Sequence, residues 1–184
     1  MLHDNYIHKH NLELDISGIA AGDIDAFENV YRKYYPSIFR FLYLSVYDKA
    51  VAEDLSQDVF LNLWKCRKGL DPSRSLQCYL YRAAHNHTVN FFRYNARYCE
   101  LPENELIHKA WLPDEVLDSK FLHREVEKAV QSLPDSCRSV FILNRFEALS
   151  YKEIADTLDI SVHTVRNHIS KALYTLREIL QKIL

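Results

Sequence analysis

The sequence predicts an all-α protein made of two small helical domains joined by a flexible linker. Three observations carry this reading. Apolar residues recur at three- and four-residue intervals through most of the 184 residues. Only 3 Gly and 5 Pro are present, and no Asn-Gly or Asp-Gly pair offers a tight hairpin turn. The helical pattern breaks once, in a proline- and carboxylate-bearing stretch that begins at Cys99. Hydrophobic content of 48% and charged content of 26% suit a soluble globular protein, and the length allows one ordinary domain or two small ones.

Residues 1–17 read as a polar tail. Asp23 can then cap a helix in which Phe27, Val30, Tyr31, Tyr34 and Ile38 follow the helical period. Pro36 lies inside that pattern, so a kink or break is expected there. A second amphipathic helix spans about 51–66, with Ala52, Leu55, Val59 and Leu63 inward, and Gly69, Asp71 and Pro72 mark the turn after it. A third carries Leu76, Leu80, Ala83 and Ala84 on towards Phe91 and Phe92, closing a first domain over 18–98. Pro102, Pro113 and the carboxylates between Glu100 and Asp118 describe a linker over 99–120. In a second domain, 121–184, Leu122, Val126, Ala129, Val130 and Leu133 resume a stripe that stops at Pro134, and Cys137, Val140 and Phe141 begin another.

Several classes are disfavoured. The N-terminus has no cationic region followed by an apolar run, so no secretory leader is visible. The apolar stretch from Ile38 to Val46 contains Arg40 and is too short to insert into a membrane. The 4 cysteines are scattered without Cys-x-x-Cys spacing, which favours reduced thiols in a cytoplasm over disulfides or zinc. His85 and His87, two apart, point to different sides of a helix, so no metal site and no cofactor is expected.

The stretch from Ser150 to Lys171 reads as a helix-turn-helix, the unit that lays a short helix in the DNA major groove. Ser150 and Glu153 form a capping box for the first helix, with Ile154, Ala155 and Leu158 on one face. Ser161 caps the second, and Val162, Val165 and Ile169 form its inward stripe. That leaves His163, Thr164, Arg166, Asn167, Ser170 and Lys171 as the candidate DNA-reading face: donors and cations suited to base edges and phosphates. The net charge of −2 requires that positive charge be local and acidic surface lie elsewhere.

In the first domain, Asp54, Gln57, Asp58 and Leu61 are spaced to share a helical face. An acidic and amide stripe beside an exposed Phe60 or Trp64 suits a partner with basic and apolar patches. The third helix mixes Tyr79, Tyr81, His85, Asn86, Asn90 and Arg93, the rings, amides and cations that bind single-stranded DNA. Tyr79 and Tyr81 cannot both face one core.

Taken in order and spacing, several segments resemble an extracytoplasmic-function (group IV) sigma factor of bacterial RNA polymerase. They are 26–36, 52–60, 79–86, Leu133-Pro134-Asp135, and 149–155 with the recognition helix that follows. The resemblance covers about 19–180. It implies a region-two domain that binds core RNA polymerase through Asp54, Gln57, Asp58 and Leu61 and melts the promoter minus-ten element through Tyr81, His85, Asn86, Asn90 and Arg93. It also implies a region-four domain reading the minus-thirty-five element in duplex promoter DNA, and an anti-sigma factor as inhibitory partner. No catalytic activity and no small-molecule substrate are implied. Two departures stand out: Asp159 occupies a turn position where that family usually has Gly, and His85 stands where Arg is frequent. The alternatives are a quorum-sensor-type helix-turn-helix regulator and a metal-dependent hydrolase built on Glu53, Asp54, Asp58, His85 and His87. The first calls for an α/β receiver or ligand-binding domain in front, where this sequence shows helical periodicity and no strand-like runs. The second calls for a phosphate loop, His-Glu-x-x-His or nucleophile elbow, none of which is present.

Overall fold

The structure, a computed structural model, describes residues 16–98 and 126–181, all helices and turns with no strand among them. The expected linker over 99–120 and Leu122 lie outside the described residues, as does the tail through Asp15. The described chain opens on a helix over 16–21, α1, in which Ile16 and Ile19 are buried. Ile16 thus joins the buried cluster two residues ahead of the expected start at 18. A side chain at Gly18 would meet the Ala26 Cβ at 2.8 Å, so glycine lets α1 approach the next helix. Gly22 ends α1 with φ +90°, a conformation that costs glycine little.

Helix α2 (Ile24–Val46) starts where Asp23 accepts bonds from the backbone N–H groups of Asp25 and Ala26. It runs unbroken through Pro36, against the expected interruption. Pro36 lies on the exposed side, while Tyr34, Ile38, Phe39, Phe41 and Leu42 are buried around it. Burial at those five positions outweighs one lost backbone hydrogen bond. Phe27, Tyr31, Tyr35, Phe39, Tyr43 and Tyr47 form a ladder of rings along the helix, with neighbouring centroids 5.0–6.4 Å apart.

Helix α3 (Lys49–Lys65) is capped by Asp48, whose carboxylate accepts from Val51 N. A short 3-10 turn at Arg67–Gly69 leads to α4 (Leu76–Tyr98), and α2, α3 and α4 pack against one another. The second half comprises α5 (126–131), α6 (Asp135–Arg145), α7 (Tyr151–Leu158) and α8 (Val162–Leu180). Buried Arg138 binds the α5–α6 turn together, donating to the carbonyls of Val130, Gln131 and Leu133 and pairing with Asp135 at 3.1 Å. The nitrogen that pairs with Asp135 also donates to Ser45 O at the end of α2, 3.0 Å away. The halves touch along two seams, α2 on α6 and α4 on α7, and their buried residues form one cluster.

Replacing Pro36 by Ala restores a backbone donor on an exposed helical position and adds some chain entropy to the unfolded state. The net effect expected is stabilisation by about 1–2 kcal/mol. Urea unfolding followed by helical circular dichroism measures it; an unchanged midpoint would mean that α2 has already absorbed the missing bond.

Candidate nucleic-acid interface

The helix-turn-helix is built by local chemistry first. Ser150 Oγ accepts from Glu153 N at 3.3 Å, and the Glu153 carboxylate accepts from Ser150 N at 2.8 Å and from Ser150 Oγ at 2.6 Å. These bonds hold the Glu153 carboxyl below its usual pKa. The turn passes through Asp159 at φ 56° and ψ 47°, the left-handed region. Ser161 then caps α8 by accepting from Thr164 N at 3.0 Å. Ile154, Ala155, Val165, Ile169, Ala172 and Leu176 are buried where α6, α7 and α8 meet. Cys137 Sγ lies 3.4 Å from His168 Nδ1, joining α6 to α8 inside the same core.

The polar face of α8 stands out from that core. His163, Arg166, Asn167, Ser170 and Lys171 are exposed. Thr164 is half-buried, with its hydroxyl 2.8 Å from Ser161 Oγ, so it serves the cap. Val162, expected inward, is 41% exposed. It occupies the first turn of α8, before the helix reaches the core, and so joins the outward face. Leu173 and Tyr174 are also exposed on the distal half of α8, two apolar interruptions of a polar face.

On α3, Asp54, Gln57, Asp58 and Leu61 are all exposed along one face. The apolar member of that face is Leu61, not Phe60 or Trp64. Phe60 is buried against Tyr31, with ring centroids 4.8 Å apart, and Trp64 packs between Phe27 and the Arg67 guanidinium.

The residues of α4 divide. Asn86, Asn90 and Arg93 are exposed. His85 is half-buried; burial lowers its pKa, and its Nδ1 has no hydrogen-bond partner among the described residues. His87 instead meets Asn62 at 2.9 Å, so the two histidines face different surroundings. Tyr81 departs furthest from the expected placement. It is 1% exposed, packed edge-on against Phe41, and its hydroxyl donates to Glu147 of the other half. Burial, then the Glu147 carboxylate, raises its pKa. In this arrangement Tyr81 presents no surface to DNA.

Two family models match: one described as Sigma-70 region 2 over residues 30–98, the other as Sigma-70, region 4 over 123–176. The RNA polymerase sigma factor YlaC of Bacillus subtilis is 30% identical over 165 residues, covering 86% of this chain and 94% of the relative. The chain belongs to the sigma-70 family of RNA polymerase sigma factors. The ECF RNA polymerase sigma factor SigW of Bacillus subtilis, 26% identical over 91% of this sigma factor and 96% of the relative, marks the extracytoplasmic-function branch. Two solved structures share the fold. CnrH in complex with the cytosolic domain of CnrY has a TM-score of 0.74 at 19% identity, covering 94% of this chain and 98% of its own. RpoE of Bartonella quintana in complex with the anti-sigma factor NepR has a TM-score of 0.73 at 21% identity, covering 86% and 98%. The α2–α4 unit is thus the region-two domain, and α5–α8 the region-four domain. The family is one of transcription factors, and neither the quorum-sensor-type regulator nor the hydrolase is favoured.

The left-handed turn of this sigma factor sets a test on one residue. A β-branched side chain at 159 clashes with its own backbone at positive φ, so Asp159→Val should destabilise the region-four domain by about 1–2 kcal/mol. Asp159→Gly should stay within about 0.5 kcal/mol of the parent. Thermal unfolding of the three proteins decides it, and equal loss in both variants would show that the Asp side chain, not the backbone angle, is what matters.

Proposed function

We propose that this sigma factor binds core RNA polymerase in the cytoplasm through the α3 face of Asp54, Gln57, Asp58 and Leu61, and that it reads promoters with α8 and α4. The observation that carries the reading is the separation of charge. The exposed carboxylates of α3 and the exposed cations and amides of α8 lie on different helices, each backed by its own buried stripe. A chain of net charge −2 thereby offers both an acidic docking face and a DNA-binding face.

On α8, Arg166 has the forked donor geometry for guanine, Asn167 pairs donor with acceptor as adenine requires, and Lys171 suits a phosphate. These contacts constitute minus-thirty-five reading. On α4, Asn86, Asn90 and Arg93 are available for an unstacked minus-ten strand, with His85 at its edge and Tyr81 entering once it is uncovered. An anti-sigma factor is proposed as inhibitory partner, in keeping with the solved neighbours, which were captured with CnrY and NepR.

Changing both Asp54 and Asp58 to Lys should abolish co-purification with core RNA polymerase and leave helical content unchanged, since both carboxylates are exposed. Core recovered at undiminished yield would remove α3 from the interface. For α8, duplex-library binding by the full chain should show Arg166→Ala losing roughly 1–3 kcal/mol at one base pair. Lys171→Ala should weaken every sequence alike and reduce the salt slope by about one. If both variants keep the parent's preference and salt slope, α8 does not read the promoter.

A further inference from the structure

Glu147 is chemically out of place in its own domain. It follows the C-terminal end of α6, where unpaired carbonyls favour a cation. Its side chain is nevertheless only 4% exposed. The donors that make this tolerable come from the region-two half. Arg40 on α2 gives Nε at 3.1 Å and a terminal nitrogen at 2.6 Å to the same carboxylate oxygen, and also donates to Phe146 O at 3.1 Å. Tyr81 on α4 donates to the second oxygen. The next residue of α4, Arg82, donates to the carbonyls of Asp156 and Thr157 at the end of α7, 3.1 Å from the latter. It thereby caps the helix that precedes the DNA-reading turn.

We infer that this sigma factor holds itself closed through an interdomain latch, Glu147 with Arg40 and Tyr81, reinforced by Arg82 on α7, and that the closed form is unable to engage both promoter elements. The inference rests on the promoter reading above. The two elements lie about 25 base pairs apart, roughly 85 Å of duplex at about 3.4 Å per step. In the closed form Arg82 touches α7, Asn86 is one turn beyond Arg82, and α8 starts just past Asp159. The two reading faces therefore lie within roughly 30 Å of each other. One chain cannot span the promoter until α4 and α7 separate. The latch also covers the Tyr81 ring of the minus-ten helix directly. Opening frees that ring and releases Glu147 to water, where it needs no partner.

The test uses the full chain. Glu147→Gln keeps the size of the side chain but removes the charge that Arg40 requires, and Arg82→Ala weakens the second contact from the other side. Small-angle scattering should give the parent a radius of gyration of about 16 Å, as for any compact chain of this length. Both variants should be several ångströms larger, with unchanged helical circular dichroism. Without polymerase, both should bind a randomised single-stranded DNA pool about tenfold more tightly than the parent, because the competent form is no longer a minor species. The charge swap Arg40→Glu with Glu147→Arg should restore compactness and weak DNA binding, which a merely damaged fold would not do. Variants as compact as the parent, or expanded variants with no gain in binding, overturn the latch. A separate arm adds core RNA polymerase and measures transcription from a promoter library. Inactivity of the parent and every variant there overturns the promoter reading itself, whereas compact but active variants overturn the latch alone.

Discussion

Burial of α2 is the constraint on which the remaining architecture depends. The helix carries apolar residues on more than one side, so a single neighbour cannot cover it. Val30, Ile38, Phe41 and Leu42 are buried where it meets α3 and α4, and Ser45 at its end receives Arg138 from α6. Neither half is large, and small helical units bury a modest fraction of their surface. A shared central helix offsets that limitation: it serves as the core of region two and as the platform for region four. The same burial keeps α2 helical through Pro36, where local propensity alone favours a break.

The candidate functional faces are what this packing leaves over. On α3 the buried stripe of Ala52, Ser56, Val59, Phe60 and Leu63 turns Asp54, Gln57, Asp58 and Leu61 outward. On α8 the stripe of Val165, Ile169, Ala172 and Leu176 does the same for Arg166, Asn167, Ser170 and Lys171. Opposite charges therefore stand on different helices. Each helix needs only its own amphipathicity to achieve this, which is how a nearly neutral chain presents both an acidic and a cationic face. Asp159 belongs to the same economy, since its short polar side chain accepts the left-handed turn that sets α8 against α7.

The seam between the halves follows different physics. The halves share one buried apolar cluster, and beside it hydrogen bonds from Arg40, Tyr81, Arg82 and Arg138 cross to carbonyls and to one carboxylate. The apolar part resists separation in proportion to its area, whereas the hydrogen bonds are directional and fix which faces meet.

Much of the fold was legible in the residues because caps and periodic stripes are local. Asp23, Ser150, Glu153 and Ser161 cap the helices that the sequence alone assigns to them, and Val59, Leu63, Val165 and Ile169 are buried as their spacing requires. The polar face of α8 was legible for the same reason: a residue opposite a buried stripe is exposed unless something else covers it. That last condition is the one a sequence cannot supply. The residue pattern makes Tyr81 a DNA contact, but Glu147 covers it. It leaves Phe60 exposed, but Tyr31 covers that ring, and it turns Val162 inward, where the fold leaves it uncovered. Sequence by itself determined which residues form helices and which faces are polar, because those follow from backbone chemistry within a few turns. Tertiary structure decided which faces meet. The Arg40–Glu147 pair joins residues 107 apart in the chain, and no local rule relates them.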